Sequence, residues 1–253
     1  MVSMSRQRVS RKFHLVVIRT GYDGACYLSI RHSRSFMRPT VKISAPLIFT
    51  LAVLSTSICL AGRPLTVDDA NVSDVGGGQV ETWHARQTDG VNVWTMAPAY
   101  GLMEGVEIAA SWARDASNNV NTSAVQAKFR LTPSLEHGCN VGAVIGVSQP
   151  NDGSGNTPYL NGLLSCNGDA GSLHFNLGAT HPPGGSTLNT WGPAFEREFG
   201  AVTAHAEYFG QQEASPTFQL GLRTELLKNV QIDGTVGHSS GDALFSMGLK
   251  YQF

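Results

Sequence analysis

Apolar and polar side chains alternate strictly over the last nine residues of the chain, 245–253. The apolar set is Phe245, Met247, Leu249, Tyr251 and Phe253, and the intervening set is Ser246, Gly248, Lys250 and Gln252. Side chains that alternate with a period of two residues lie on opposite faces of a β-strand. The pattern therefore predicts a final strand with one hydrophobic face.

Segments with a similar signature recur at intervals of roughly 15 residues, each bounded by Gly, Pro, Asn, Asp or Ser. The pattern predicts about twelve strands, at 79–86, 91–102, 106–114, 123–131, 139–147, 159–166, 172–179, 189–198, 202–208, 217–226, 230–236 and 244–253. Most of these segments have one apolar and one polar face, whereas the first two and the segment 189–198 alternate less cleanly.

The connections between these segments tend to alternate in length. The long ones are 115–122, 148–158, 180–188, 210–216 and 237–243, and the short ones are 103–105, 167–171, 199–201 and 227–229, with 132–138 as an exception. Short turns at one end, longer loops at the other and an even number of strands are typical of an outer-membrane β-barrel. A soluble sandwich could also end on an amphipathic edge strand, but it has no reason to collect its long loops at one end.

The amino-terminal part of the chain has the layout of a secretory signal peptide. Met37, Arg38 and Lys42 precede an uncharged run at 45–60, and small residues follow around Ala61. We therefore predict a translation start at Met37, with 1–36 as a non-native leader. The signal peptide is predicted at 37–61, a periplasmic segment at 62–78 and the barrel at 79–253. The basic stretch before Met37 could instead be a nucleic-acid-binding arm, although such a tail in front of an export signal would serve nothing in the cytoplasm.

The composition of the predicted mature chain excludes some classes of protein. Acidic residues outnumber basic ones after residue 61, so no large basic field is available for nucleic acid. No apolar run in that part approaches the length of a membrane-spanning helix. If the mature protein lies in a membrane, it must therefore do so as a closed barrel.

Several short motifs of the mature chain resemble those of a family of outer-membrane proteins. They are the stretches 63–70, 78–83, 99–102, 126–130, 190–192 and 248–253, which read RPLTVDDA, GQVETW, AYGL, QAKFR, TWG and GLKYQF. The chain is similar in these motifs to the putative MetA-pathway phenol-degradation or transporter-type β-barrels. The resemblance implies an antiparallel, up-and-down transmembrane β-barrel in the bacterial outer membrane, with a role in the uptake of aromatic compounds and no catalytic residues.

The resemblance to outer-membrane barrels also gives the final strand a role. Tyr251 and Phe253 would form the signal that the barrel-assembly machinery recognises. The expected surroundings of the mature protein are outer-membrane lipid and lipopolysaccharide.

Charged residues on the polar faces are candidates for contact with a solute. Hairpin register predicts that Arg223 lies opposite Asp233 and that His205 lies opposite Glu196. The residues predicted to line the lumen or contact a solute are Lys128, Arg130, Glu196, His205, Glu207, Arg223, Glu225 and Asp233. They could set selectivity, or they could form a structural network that fills a narrow barrel. Because both signs of charge occur, the pattern does not predict a strongly ion-selective pore.

Only Cys139 and Cys166 remain after the predicted signal peptide, and a hairpin centred on the 148–158 loop places them opposite each other at the periplasmic end. The oxidising compartment favours a disulfide between them. No His or Cys pair is spaced to complete a metal site, and no cofactor is predicted.

Three functions remain open at this point. The first is a channel or transporter-like barrel for passive passage or binding of small, aromatic or hydrophobic molecules. The second is an outer-membrane lipid hydrolase that uses His238 and Ser240, although Gly241 stands where such enzymes usually carry Asn. The third is a closed structural barrel with its lumen filled by side chains.

Overall fold

The computed structural model describes residues 65–253 and two short strands near the amino terminus, β1 (Ile18–Thr20) and β2 (Cys26–Leu28), which pair antiparallel. The predicted start at Met37 and the signal peptide at 37–61 lie outside the described residues.

Twelve further strands follow in chain order. They are β3 (Gly78–Arg86), β4 (Asn92–Met103), β5 (Val106–Asp115), β6 (Val120–Arg130), β7 (Gly138–Pro150), β8 (Thr157–Gly168), β9 (Gly171–Thr180), β10 (Leu188–Phe199), β11 (Val202–Gln211), β12 (Thr217–Leu227), β13 (Val230–Ser239) and β14 (Asp242–Gln252). A single 3-10 turn, Thr88–Gly90, lies between β3 and β4.

Each of these strands pairs antiparallel with the next, and β14 pairs with β3 to close the barrel. The closing register places Lys250 opposite Glu81. The predicted antiparallel, up-and-down barrel of about twelve strands is confirmed. Within the described part of the chain, no helix is long and apolar enough to span a membrane.

The two ends of the barrel differ, as the connection lengths predicted. One end, called the turn end below, carries the connections 104–105, 131–137, 169–170, 200–201 and 228–229. The opposite end, called the loop end, carries 87–91, 116–119, 151–156, 181–187, 212–216 and 240–241. Most loops are shorter than the sequence predicted because the strands extend into them.

The largest difference lies between β13 and β14. The predicted loop at 237–243 is a two-residue hairpin turn, Ser240 and Gly241, with φ values of 54° and 98°. Positive φ at both central positions is what a type I′ turn requires, and that turn matches the twist of the adjoining strands. His238 and Asp242 therefore lie in strands and not in a loop.

Large apolar side chains face outward and charged side chains face inward. On β14, for example, the outward residue Met247 is 63% exposed, whereas the inward residue Lys250, three positions later, is 2% exposed. The exposed apolar residues include Trp94, Ile108, Trp112, Val125, Ile145, Leu160, Phe175, Leu220 and Leu222. This distribution is that of a barrel whose outer surface contacts hydrocarbon.

Candidate functional site

Residues 65–77, called the inner segment below, enter the barrel from the turn end and cross its lumen. The sequence placed residues 62–78 in the periplasm. In the structure, residues 66–73 form hydrogen bonds with inward side chains of the barrel wall. Val67, Asp69 and Ala70 are almost completely buried. The lumen is therefore partly occupied by the chain's own amino-terminal residues.

Two wall residues hold the first half of the inner segment through its backbone. Glu207 on β11 accepts hydrogen bonds from the amides of Thr66 and Val67 through the same oxygen, Oε2, at 2.8 and 2.9 Å. Asn176 on β9 accepts the amide of Asp68 at 2.7 Å and donates to the carbonyl of Asp68 at 2.7 Å. These contacts satisfy backbone groups that have no neighbouring strand.

Two further wall residues hold the second half. Ser165 on β8 accepts the amide of Ala70 at 2.9 Å. Glu107 on β5 accepts both the amide and the hydroxyl of Ser73, at 2.9 and 2.6 Å. Polar side chains of β5, β8, β9 and β11 thus act together as a row of acceptors for an extended peptide.

Two glycines of the wall make room for this peptide. A Cβ on Gly192 would lie 2.6 Å from Cγ2 of Val67, and a Cβ on Gly101 would overlap the carbonyl oxygen of Asp74. Gly101 also exchanges backbone hydrogen bonds with Gly76 and Gly77. The fit of the inner segment against the wall therefore depends on the absence of side chains at positions 101 and 192.

An ion pair between a buried lysine and a partly buried aspartate adds to these contacts. Lys128 Nζ on β6 lies 2.8 Å from Oδ1 of Asp68 and 3.8 Å from Oδ1 of Asp69. The side chain of Lys128 is 6% exposed and that of Asp69 is fully buried. A buried ammonium group without an opposite charge would be unfavourable, so the paired acids explain the position of this lysine.

A chain of polar contacts continues from the inner segment into the far wall. Ser165 Oγ, which accepts the amide of Ala70, also lies 2.8 Å from Nδ1 of His174. Nε2 of His174 lies 3.4 Å from Oε1 of Glu196. Arg223 completes the chain through an ion pair of 2.9 Å with Oε2 of Glu196. A continuous polar network thus joins the inner segment to β8, β9, β10 and β12 of the wall.

The predicted cross-strand pairs occur in the register. Glu196 lies opposite His205, and Arg223 lies opposite Asp233. Of the eight predicted lumen residues, six are buried and face inward: Lys128, Glu196, His205, Glu207, Arg223 and Asp233.

The other two predicted residues lie near the turn end. Arg130 is half-buried at the last position of β6. Glu225 is exposed, and its carboxylate accepts the amide of Asn229 across the turn. Glu225 keeps the register of Arg223 and pairs with Gln231, but it lies at the rim of the barrel, two residues before the end of β12.

A cavity of about 470 Å³ lies beside the inner segment, on the side of β3 to β8. Its lining includes Trp83, Ala97, Ala99, Ala109, Ala124, Gln126, Lys128 and Tyr159. The hydroxyl of Tyr159 donates to Oε1 of Gln126 at 2.9 Å. Small alanine side chains leave this space open, and three aromatic residues with a few polar groups line it, as in many small-molecule sites. Residues at the turn end, Gln252 and Phe253 among them, also line it.

Of the eight predicted lumen residues, Lys128 is the one that lines this cavity. Sequence reasoning missed Trp83 and Tyr159. Trp83 lies two residues after Glu81, so the same parity would have placed both on the inner face. That signal was weak because β3 and β4 alternate less cleanly than the later strands.

Acidic groups predominate in the lumen. The buried carboxylates are Asp69, Glu81, Glu107, Asp115, Glu196, Glu207 and Asp233, and the buried cations are Lys128, Arg223 and Lys250. Both signs occur, as the sequence predicted, but the acids exceed the cations. The field inside the barrel therefore disfavours anions.

Cys139 on β7 lies opposite Cys166 on β8, and a disulfide of 2.06 Å joins them. Both residues alternate with inward neighbours such as Asn140 and Ser165, so the disulfide lies on the outer face near the turn end.

The residues of the hydrolase alternative are not joined into a site. His238 is exposed on the outer face of β13, opposite Ala243. Ser240 forms a hydrogen bond of 3.4 Å with Ser215. Within the described residues, no hydrogen bond joins His238 to Ser240.

Phe253 closes the seam between the first and last barrel strands. Its amide donates to the carbonyl of Gly78, and its carbonyl accepts the amide of Gly78, both at 2.9 Å. The rings of Tyr251 and Phe253 stack with centroids 6.2 Å apart on the outer face.

The fold is similar to that of solved outer-membrane porins. The KdgM porin matches with a TM-score of 0.59 and 16% identity, over 69% of this chain and 99% of its own. The KdgM porin in complex with disordered oligogalacturonate gives 0.60 and 16%, again over 69% and 99%. The NanC porin gives 0.55 and 7%, over 69% and 98%. At these identities the likeness shows the fold.

Sequence comparison identifies the family. No curated protein matches the chain. Residues 49–243 match the model of the family described as "Uncharacterised conserved protein UCP029691", which is more than half of the sequence. The chain therefore belongs to this family of conserved proteins.

Proposed function

We propose that this protein is an outer-membrane barrel that binds small solutes in its lumen and lets them pass by diffusion. The observation that carries the proposal is the cavity of about 470 Å³ inside a closed barrel with an apolar outer surface. The porin fold supports the same conclusion.

Export and assembly belong to this proposal. A cleaved signal peptide at 37–61 would bring the chain to the outer membrane, where lipid and lipopolysaccharide surround the exposed apolar face. The assembly machinery would recognise Tyr251 and Phe253, whose rings lie exposed at the closing seam.

The solute is proposed to be neutral or cationic, with an aromatic or hydrophobic part. Trp83, Tyr159 and the alanines of the cavity suit an apolar group, in line with the aromatic solutes that the resemblance to the MetA-pathway family implies. The excess of buried carboxylates argues against anions. Oligogalacturonate, present in one KdgM porin structure, is a chain of acidic sugars, so the lumen described here differs in chemistry from one suited to that ligand.

Uptake by liposomes that contain the purified protein tests the proposal. Three solutes separate charge from aromatic character: benzyltrimethylammonium, tetramethylammonium and benzenesulfonate. We expect both cations to enter faster than benzenesulfonate. We also expect benzyltrimethylammonium to slow the uptake of tetramethylammonium by competition for the cavity. Heat-denatured protein is the control, and uptake no faster than this control would refute passage.

A closed structural barrel is the second candidate, because the inner segment fills part of the lumen. Binding without passage would distinguish it. Trp83 lines the cavity, so its fluorescence reports benzyltrimethylammonium binding even where no uptake occurs. Neither binding nor uptake would favour the structural role.

A further inference from the structure

The inner segment is bound to the wall mainly through polar contacts. Glu207, Asn176, Ser165 and Glu107 accept its donors, and Lys128 pairs with Asp68. Water can replace each of these partners once the lumen hydrates. The barrel strands, in contrast, are joined by continuous backbone ladders that close on themselves.

Apolar contacts of the inner segment are few. Val67 lies against Gly192, and Ala70 packs with Val144 and Leu163. The segment is thus a candidate for local release at a lower free energy than barrel unfolding, since release would restore its conformational entropy.

A glycine joint connects the inner segment to β3. Residues 76–78 are all glycine, Gly76 has a φ of +81°, and a Cβ at Gly76 would have no atom within 4 Å. Two backbone hydrogen bonds with Gly101, of 3.0 and 2.9 Å, hold Gly76 and Gly77 to the wall. Once these bonds exchange with water, the access of glycine to both signs of φ lets the chain turn at this joint without a rearrangement of the barrel strands.

We infer that the inner segment is a displaceable internal ligand that closes part of the lumen. Its release uncovers Glu207, Asn176, Ser165 and Glu107 as a row of hydrogen-bond acceptors across the pore. The uncovered row suits solutes rich in hydrogen-bond donors that carry no negative charge. This inference adds a binding site to the proposed function and rests on that function only for the consequence that release increases flow.

A buried cysteine can report release directly. In full-length protein, Val67→Cys places a thiol where the native side chain is 2% exposed, whereas Asn156→Cys places one in an exposed loop. Of the four native cysteines, Cys139 and Cys166 are joined in a disulfide and do not react, and Cys26 and Cys59 are replaced by Ser in every variant. A membrane-impermeant maleimide then measures access to position 67 relative to position 156.

Charge reversal within the segment tests what holds it. Asp68→Lys brings a second cation beside Lys128, which repels it and favours release. Asp169→Lys makes the same charge change at an exposed position of the turn between β8 and β9, outside the cavity lining, and serves as the matched control. Both substitutions leave the barrel strands unchanged, and Asn156→Cys labelling together with gel mobility without boiling verifies folding in each background.

We expect Val67→Cys to react at least tenfold more slowly than Asn156→Cys in the parent. Asp68→Lys is expected to raise the rate at position 67 about tenfold and to increase KCl conductance, whereas Asp169→Lys leaves both near the parent value. Equal labelling rates at positions 67 and 156 in the parent would overturn the docking of the inner segment inside the lumen. An unchanged rate in Asp68→Lys would overturn release through this ion pair.

Conductance separates this inference from the proposed function. Faster labelling with higher conductance supports both. Faster labelling with no conductance in any variant supports the displaceable ligand and refutes the channel. Faster labelling with conductance that is present but unchanged would overturn the closing role of the inner segment.

Discussion

Lys128 Nζ lies 2.8 Å from Oδ1 of Asp68, and this ion pair joins β6 to the inner segment across 60 residues of sequence. Asp69 of the inner segment lies 3.8 Å from the same lysine, and Glu107 on β5 lies opposite it in the strand register. The pair therefore links the barrel wall to its internal occupant at a buried point.

Substitution of Lys128 by Met is expected to destabilise the folded protein. Loss of one partner of a fully buried ion pair typically costs about 3–5 kcal/mol, and the lower value is expected here because Asp69 is fully buried whereas Asp68 is 27% exposed. The temperature at which the compact band disappears on a gel should fall relative to the parent. This temperature should fall less for Lys128→Arg, which retains the charge. Equal decreases for the two variants would argue against an electrostatic cause.

Two alanines on neighbouring strands test the cavity. Ala109 on β5 lines the cavity, whereas Ala127 on β6 lies on the outer face, opposite the exposed Ile108 and Ile145. Ala109→Phe should reduce benzyltrimethylammonium uptake several-fold because the ring fills the space, while Ala127→Phe should leave uptake unchanged. A similar reduction in both variants would indicate a general folding defect instead of a blocked cavity.

The excess of acidic groups predicts a preference for cations. Under a KCl gradient, the reversal potential of the reconstituted protein should have the sign of K⁺ permeation. Glu107→Gln removes a buried negative charge from the cavity lining but keeps an acceptor for Ser73, so it should lower the preference. Glu213 lies in an exposed loop, so Glu213→Gln should leave the preference for cations unchanged. Chloride preference in the parent would contradict this account of the lumen.

Replacement of both disulfide cysteines by Ser is expected to lower stability without a change in uptake. The cross-link joins positions 27 residues apart, and a closed loop of this size stabilises a protein by about 3.5 kcal/mol in the chain-entropy model. Because the disulfide lies on the outer face, the lumen should remain the same. The midpoint of guanidinium unfolding and liposome uptake together check this pair of expectations.

Phe253→Ala should reduce the amount of folded barrel in the outer membrane. The substitution keeps the backbone bonds to Gly78, so a loss in yield would reflect recognition of the ring. Phe199→Ala is a matched control, since Phe199 is also exposed near the turn end, at 62%. Equal yields for both variants would remove Phe253 from the assembly signal.

Alternation of apolar and polar residues predicted the strands, and the alternating lengths of their connections predicted the barrel. The side-chain period of two is a local property of extended backbone, so the outward set on β14 follows from the sequence alone. Turn positions then fixed the register that pairs Glu196 with His205 and Arg223 with Asp233.

The length of the last loop could not be read in the same way. Ser240 and Gly241 form a two-residue turn, but the polar residues around them also suit a longer loop. Pairing between β13 and β14 sets the length of this connection, because ladder hydrogen bonds extend both strands up to the turn.

Only the tertiary structure placed the inner segment and the cavity. Val67 meets Glu207 across 140 residues, and Asp68 meets Asn176 across 108. The segment is held by side-chain acceptors from separate strands and has no periodic pattern of its own. The sequence by itself determined which residues face lipid and which face inward, since that follows from local geometry. What fills the lumen was decided by contacts that form only when the barrel is closed, because closure brings distant strands around one peptide.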